Sequence, residues 1–171
     1  MAHEDPDELL RRTLEVVSNH RKTYIASGGT SGHLMDMSHV GVDRFIPTLL
    51  LETTGRRSGQ RRIVPLNYGF YAGEWVVIAS KGGAPEHPAW YLNLQGGKQI
   101  RFQVATQCFH GSWREAQGAE REAVWACMAR DFPPYHGYQE SAGARVIPVI
   151  LLKPVKPCPV FKISEFPPLE A

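Results

Sequence analysis

The sequence predicts a mainly β, α+β fold: an antiparallel sheet or small barrel with appended helices. Three observations carry this. Five or six strand-like runs follow one another between Ile46 and Val155, separated by turns rich in glycine and proline. Few helical periods interrupt them. There is neither βαβ alternation nor a GxGxxG turn, which disfavours a Rossmann dinucleotide domain.

Composition bounds the rest. A chain of 171 residues with 43% hydrophobic and 21% charged residues has the balance of one globular domain able to bury a core without staples. No apolar run approaches the ~20 residues that span a bilayer, and the best, Val146 to Leu152, is strand-sized. Met1 to Glu8 is acidic where a signal peptide is basic and apolar, so a cytoplasmic protein is expected. A net charge of +2 is too small for general nucleic-acid binding. Cys108, Cys127 and Cys158 have no CxxC spacing and read as reduced thiols.

The elements follow in order. Pro6 to Tyr24 places Leu10, Leu14, Val17 and Tyr24 at helical spacing, with Asp5 or Pro6 at its start. Its outer face mixes Arg11, Arg12 and Glu15, which suits solvent better than a membrane surface, although peripheral contact stays open. Ala26 to Gly41 holds four glycines and reads as loop. Strands are expected at Thr48 to Thr54, Arg62 to Tyr71 and Glu74 to Ser80. A Gly/Pro loop, Lys81 to Pro88, leads to a short helix, Ala89 to Leu94. Lys98 to Ala105 and Cys108 to Glu115 read as an antiparallel pair, Ala119 to Arg130 as a second long helix, and Val146 to Val155 as the closing strand. The chain therefore divides into an N-terminal helix and Gly/His loop (1–45), a cofactor-sized β domain (46–155) and a Pro-rich tail (156–171) that wraps the surface or moves.

Four segments offer chemistry. Thr53 to Arg62 packs Arg56, Arg57, Arg61 and Arg62 around Ser58 in a Gly-bounded turn; such a turn exposes N–H groups, and arginines bind phosphate or carboxylate bidentately. A solvated hairpin explains the same composition equally well, and the turn is too short for a Walker loop. Ala79-Ser80-Lys81-Gly82-Gly83 offers a hydroxyl, a cation and close backbone approach, but alone it is also an ordinary turn. His87 to Leu94 has Trp90 and Tyr91 to wall a flat ring, although such aromatics are more often core. Phe132 to Tyr138 places Tyr135 and Tyr138 on one helical face.

Taken together, Leu49 to Leu66, Ala79 to Gly83, His87 to Leu94, Tyr135 to Tyr138 and Arg145 to Val149 resemble the deazaflavin (coenzyme F420)-dependent nitroreductase and quinone reductase family, over roughly Thr48 to Pro154. The resemblance implies a split β-barrel of the flavin-reductase type with flanking helices. It implies that Arg56, Arg57, Ser58 and Arg62 hold the phosphate and acidic tail of F420. Ile63, Val64, Pro65, Leu66, Asn67, Ile78, Ala79, Ser80 and Lys81 would line its ring. Ala89, Trp90, Tyr91, Leu92 and Asn93 would cover more of it, and Tyr135 and Tyr138 would flank the pocket. Hydride transfer to a quinone, enone or nitro compound follows, with Ser80 first and Tyr138 second as catalytic donor or relay. The chain departs from the family pattern at Glu52, which can pair with Arg61 or Arg62, and at Arg57, which stands for lysine.

Two other readings compete: an FMN-dependent oxidoreductase of the same fold, and a non-catalytic carrier of a flavin, haem-type or fatty-acid ligand. The cluster of Arg56, Arg57, Arg62 and Lys81 favours a polyanion over a lipid. No metal site is expected, since His33 and His39 in their Gly-rich loop lack ligand spacing. That loop can instead fold over the acceptor side and bring a histidine there. The partner expected is a small-molecule acceptor, with a homodimer left open.

Overall fold

The computed structural model describes residues 6–166. The expected start at Asp5, the side chains of Leu10 and His39, and the tail beyond 166 lie outside the described residues. The elements are α1 (Pro6–Ala26), β1 (Leu34–Asp36), β2 (Phe45–Thr54), β3 (Arg61–Tyr71), β4 (Glu74–Ile78), α2 (Ala89–Leu94), β5 (Gln99–Val104), β6 (Gln107–Glu115), α3 (Gly118–Asp131), α4 (Pro134–Ser141) and β7 (Val149–Cys158).

All the pairings are antiparallel, in the order β1-β2-β3-β4-β7-β6-β5, and β5 pairs back onto β2. Six strands thus form a closed ring, with β1 as a short flap on β2. The fold class is the one the sequence predicts. Closure removes free edges from an otherwise exposed sheet.

The ring has two apolar faces. Leu49, Leu51, Val77, Phe102, Ile150 and Leu152 fill its interior with Trp90 and Leu94 of α2. Val76, Ile78, Val149 and Leu151 face outward and are covered by Met128 and Phe132 of the α3 region and Tyr135 of α4. A third cluster, Tyr24, Ile25, Leu50, Ile63 and Phe161, lies beneath α1 and the C-terminal tail. Burial on both faces explains why Val149 to Leu152 is continuously apolar rather than alternating. No helix among the described residues is long and apolar enough to cross a membrane.

Two elements differ from the expectation, and a third extends it. The Gly-rich loop contains β1, which pairs Met35 with Ile46; three residues are too few to show a period. The helical turn read around Tyr135 and Tyr138 extends to a helix, Pro134–Ser141, that starts with Pro134 directly after Pro133 and contains Gly137. Proline is tolerated in a first helical turn, and Tyr135, nearly fully buried against Phe132, anchors the element. The last strand runs Val149–Cys158, three residues later than expected, through Pro154 and Pro157. Those prolines lie beyond the stretch paired with β4, where one edge of β7 is open and a missing N–H costs little.

Candidate functional site

The β2–β3 turn is closed by its own backbone. Gly55 N–H donates to Gln60 O at 2.8 Å and Gly59 N–H to Gly55 O at 2.8 Å. A Cβ on Gly55 would meet Ser58 Oγ at 2.5 Å, so any larger residue there would have to displace the Ser58 hydroxyl. With the backbone self-satisfied, Arg56, Arg57, Ser58 and Arg62 are turned outward and exposed. Among the described residues the three guanidinium groups have no ion-pair partner. Glu52 pairs with Arg61, not Arg62.

The turn forms one wall of a groove of about 760 Å³, facing the α2–β5 connection. Asn93 ties the two sides: its Oδ1 accepts the Arg56 N–H at 3.2 Å and its Nδ2 donates to Thr53 Oγ1 at 3.3 Å. The far end of the groove holds Arg101, whose Nη2 lies 2.9 Å from Glu165 Oε2. The groove is lined by Arg56, Arg61 and Arg101 together with Glu52, whereas the exposed Arg57, Ser58 and Arg62 stand outside its lining.

Beside the turn, Val64 and Leu66 of β3 are half-buried against the interior cluster that contains Ala79 and Trp90, with Tyr91 on the same wall. Tyr91 donates its hydroxyl to Glu115 at 2.8 Å; burial, reinforced by that carboxylate, pushes the phenol up to about 12. Ile63 and Ile78 point away from this wall, into the clusters under α1 and under α3 and α4. Pro65 and Leu92 are half-buried and Ala89 is exposed.

The segment after β4 turns sharply through Lys81 (φ 50°), Gly82 (φ 60°) and Gly83 (φ 81°). A Cβ on Gly83 would come within 2.8 Å of Tyr138 O, so this glycine lets the turn lie directly on α4. The backbone of Tyr138 thus lies against Gly83, three residues after Ser80, and both Ser80 and Tyr138 are half-buried. Tyr138 packs on Tyr135 and Phe132, and burial raises its phenol. Tyr135 is raised further by burial, with the Asn67 side chain as its hydrogen-bond partner. Lys81 is exposed, 3.2 Å from Glu86, and does not line the arginine groove.

Two further groups belong to this region and had no role assigned from sequence. Arg145 donates to Ala79 O at 3.1 Å, to Ser80 O at 2.8 Å and through Nε to Ala84 O at 2.9 Å, clamping the turn. In the sequence it appears only within the Arg145 to Val149 motif of the family resemblance, with no role attached to it. Tyr68 pairs with His33 across 2.7 Å, so the Gly-rich loop does fold onto β3. Burial lowers the His33 imidazole and favours its neutral form. Asn67, Tyr68, Phe70, Met128, Phe132 and Tyr135 surround a second, more apolar pocket of about 350 Å³.

Comparison with known proteins places this arrangement. Residues 16–154 match the family model described as F420H(2)-dependent quinone reductase. An F420H(2)-dependent quinone reductase of Mycobacterium tuberculosis is 26% identical over 141 residues, 81% of this chain and 90% of that protein. The solved structure of an F420-H2 dependent reductase is 37% identical, covers 63% of this chain and 94% of its own, and superposes with a TM-score of 0.57. A structure described as a domain-swapped dimer is 32% identical, covers 87% of this chain and all (100%) of its own, with a TM-score of 0.59.

Proposed function

The chain belongs to the F420H(2)-dependent quinone reductase family, and from that premise we propose that it is an oxidoreductase that uses reduced F420 to reduce a quinone, enone or nitro-type acceptor. The observation that carries the reading is the pairing of three unpartnered arginines on a tight glycine turn with an adjoining apolar wall. F420 has a phosphodiester and carboxylates at one end and a flat deazaflavin at the other, and the donor set fits both ends. Placement in the nitroreductase branch rests on the resemblance of the motifs alone.

Arg56, Arg57 and Arg62 would hold the acidic end, and the Asn93 bonds fix the turn that presents them. Val64, Leu66 and Tyr91, half-buried over the core that contains Ala79 and Trp90, would hold the ring and exclude water beside it. When bound in reduced form, the deazaflavin supplies a hydride to the acceptor. Charge that develops on the acceptor would be met by the Ser80 hydroxyl, oriented by the clamped turn, with the Tyr138 phenol of α4, the helix on which that turn lies. The phenols of Tyr135 and Tyr138 are raised by burial, so they stay protonated and act as hydrogen-bond donors near neutral pH. An unperturbed serine is a poor acid, so Ser80 relays or hydrogen-bonds while solvent completes proton delivery.

FMN has no observation in its favour: it carries a single phosphate where the turn presents three guanidiniums with no ion-pair partner among the described residues. A lipid carrier is likewise disfavoured by that charge. The test is fluorescence titration with F420 and, in parallel, FMN, on the natural chain and on an Arg56→Ala, Arg57→Ala double variant. F420 should bind in the micromolar range or tighter. The double variant should bind it roughly 10–100-fold more weakly, as expected for exposed charge-assisted bonds. Equal F420 affinity in both proteins would move the acidic tail elsewhere, and FMN binding alone would replace the electron donor.

A further inference from the structure

Cys108 and Cys158 face one another as direct cross-strand partners of β6 and β7, with Sγ atoms 3.2 Å apart and both thiols free. The sequence, with its odd count and a separation of 50 residues, gives no hint of the pair. Directly opposed residues of an antiparallel pair have Cα atoms ~4.5 or ~5.5 Å apart, inside the ~4.4–6.8 Å window that a disulfide bridges. Side-chain rotation alone therefore closes the bond, with no movement of the strands.

The surroundings of the pair are unequal. Cys108 is 3% exposed beneath the tail, whereas Cys158 is half-buried and reachable from solvent. Beyond Cys158 the chain runs at once into the tail, where Phe161 is 1% exposed and its N–H donates to Gln103 Oε1 at 2.9 Å. The tail then delivers Glu165 to Arg101 at 2.9 Å and to Arg61 at 3.2 Å, two arginines that line the groove. Arg101 also stacks over Phe161, 4.3 Å from its ring centre, and lies against the Cys108 thiol.

We propose that Cys108 and Cys158 form a hydroperoxide-responsive dithiol whose oxidation to a disulfide pins the C-terminal tail over Arg61 and Arg101. The Cys158 thiolate attacks the peroxide O–O bond, giving a sulfenic acid on Cys158 and releasing the alcohol. Cys108 sulfur then attacks the sulfenic sulfur, the S–S bond forms and water leaves. Two thiols and one hydroperoxide yield one disulfide, one alcohol and one water; the thiols supply both electrons. Cys108, enclosed beneath the tail, is the less accessible thiol, and burial with the neighbouring Cys158 thiol raises its pKa, so Cys158 meets the peroxide first. The Arg101 guanidinium beside Cys108 favours loss of its proton in the second step. The inference stands independently of the F420 reading.

The test is exposure of the full chain to tert-butyl hydroperoxide, quenching with iodoacetamide, and peptide mapping by mass spectrometry. The expected result is a linked peptide joining Cys108 to Cys158 that dithiothreitol releases, with Cys127 still alkylated. Cys158→Ser should abolish the link, and Cys127→Ser should leave it intact. Hydrogen exchange across residues 159–166 should slow on oxidation of the natural chain and stay unchanged in Cys158→Ser. Over-oxidation of Cys158 with Cys108 still alkylated, or a dimer linked through Cys127, would overturn the dithiol. Unaltered exchange in a chain that does carry the link would overturn the pinning.

Discussion

A single guanidinium orients the turn that carries Ser80. Arg145 reaches the carbonyls of Ala79, Ser80 and Ala84 from one planar fork. A lysine ammonium on a flexible stem cannot satisfy three acceptors in that geometry. Arg145→Lys should therefore lower kcat/KM by about tenfold or more, because small misplacements of a positioned group are costly in rate. The loss of one charge-assisted bond should cost about 1.5–3 kcal/mol of stability. Steady-state kinetics beside a thermal melt checks this; an unchanged kcat/KM would remove Arg145 from the positioning of Ser80. Residues that act through charge, such as Arg56 and Arg57, are visible in a sequence because four arginines around two glycines are unusual by composition alone. Arg145 is not visible in that way. Its partners are main-chain carbonyls more than 60 residues away, and carbonyls carry no residue identity.

At the level of elements, the C-terminal tail is held by side chains rather than by a ladder. Phe161 is buried, Gln103 accepts its N–H, and Glu165 spans Arg101 and Arg61. Burial works against the Glu165 carboxylate, yet Arg101, the Lys162 N–H and Arg61 together keep its pKa below the usual value. A carboxyl whose folded pKa is depressed adds stability above its unfolded pKa and loses it as pH falls through the folded one. Tail docking should accordingly hold at neutral pH and loosen as acid takes the pH below the ordinary glutamate range, near 4.3 (~). Hydrogen exchange or limited proteolysis at residues 159–166 across that window reads it out, and Glu165→Gln should already be loosened at neutral pH. A pH-independent tail would assign its docking to Phe161 and Gln103 alone. Elements of this kind mark the boundary of what periodicity reveals. The apolar, β-branched run of β2 and the turn glycines make most strands legible within one to three residues. β1 is too short to have a period, and of α4 only the turn carrying Tyr135 and Tyr138 is legible, the helix running on to Ser141.

The closure of the strand ring is what makes a site out of separate segments. The β2–β3 turn meets α2 only because β2 pairs with β3 on one side and with β5 on the other, Leu51 standing between Val64 and Phe102. The β4 turn meets α4 because Arg145 and Gly83 draw the two together. No local pattern contains these long-range pairings, so the sequence names the parts of the site but not their distances. One consequence is thermodynamic. A ligand that contacts the β2–β3 turn, the α2 segment and the wall formed by β3 and β4 touches elements that come together only in the folded chain, so it has no matching site on the unfolded one. At about 100 times its Kd such a ligand adds roughly 2.7 kcal/mol to the stability of the native state. For a chain of 171 residues each kcal/mol corresponds to a rise of ~2–4 °C. Saturating F420 should therefore raise Tm by roughly 5–10 °C, whereas FMN at the same concentration should leave it nearly unchanged. The Arg56→Ala, Arg57→Ala variant should melt where the natural chain does without ligand, because both side chains are exposed. It should lose most of the shift with F420. A full shift in that variant would mean that the ring wall alone holds the cofactor and that the exposed arginines serve solubility.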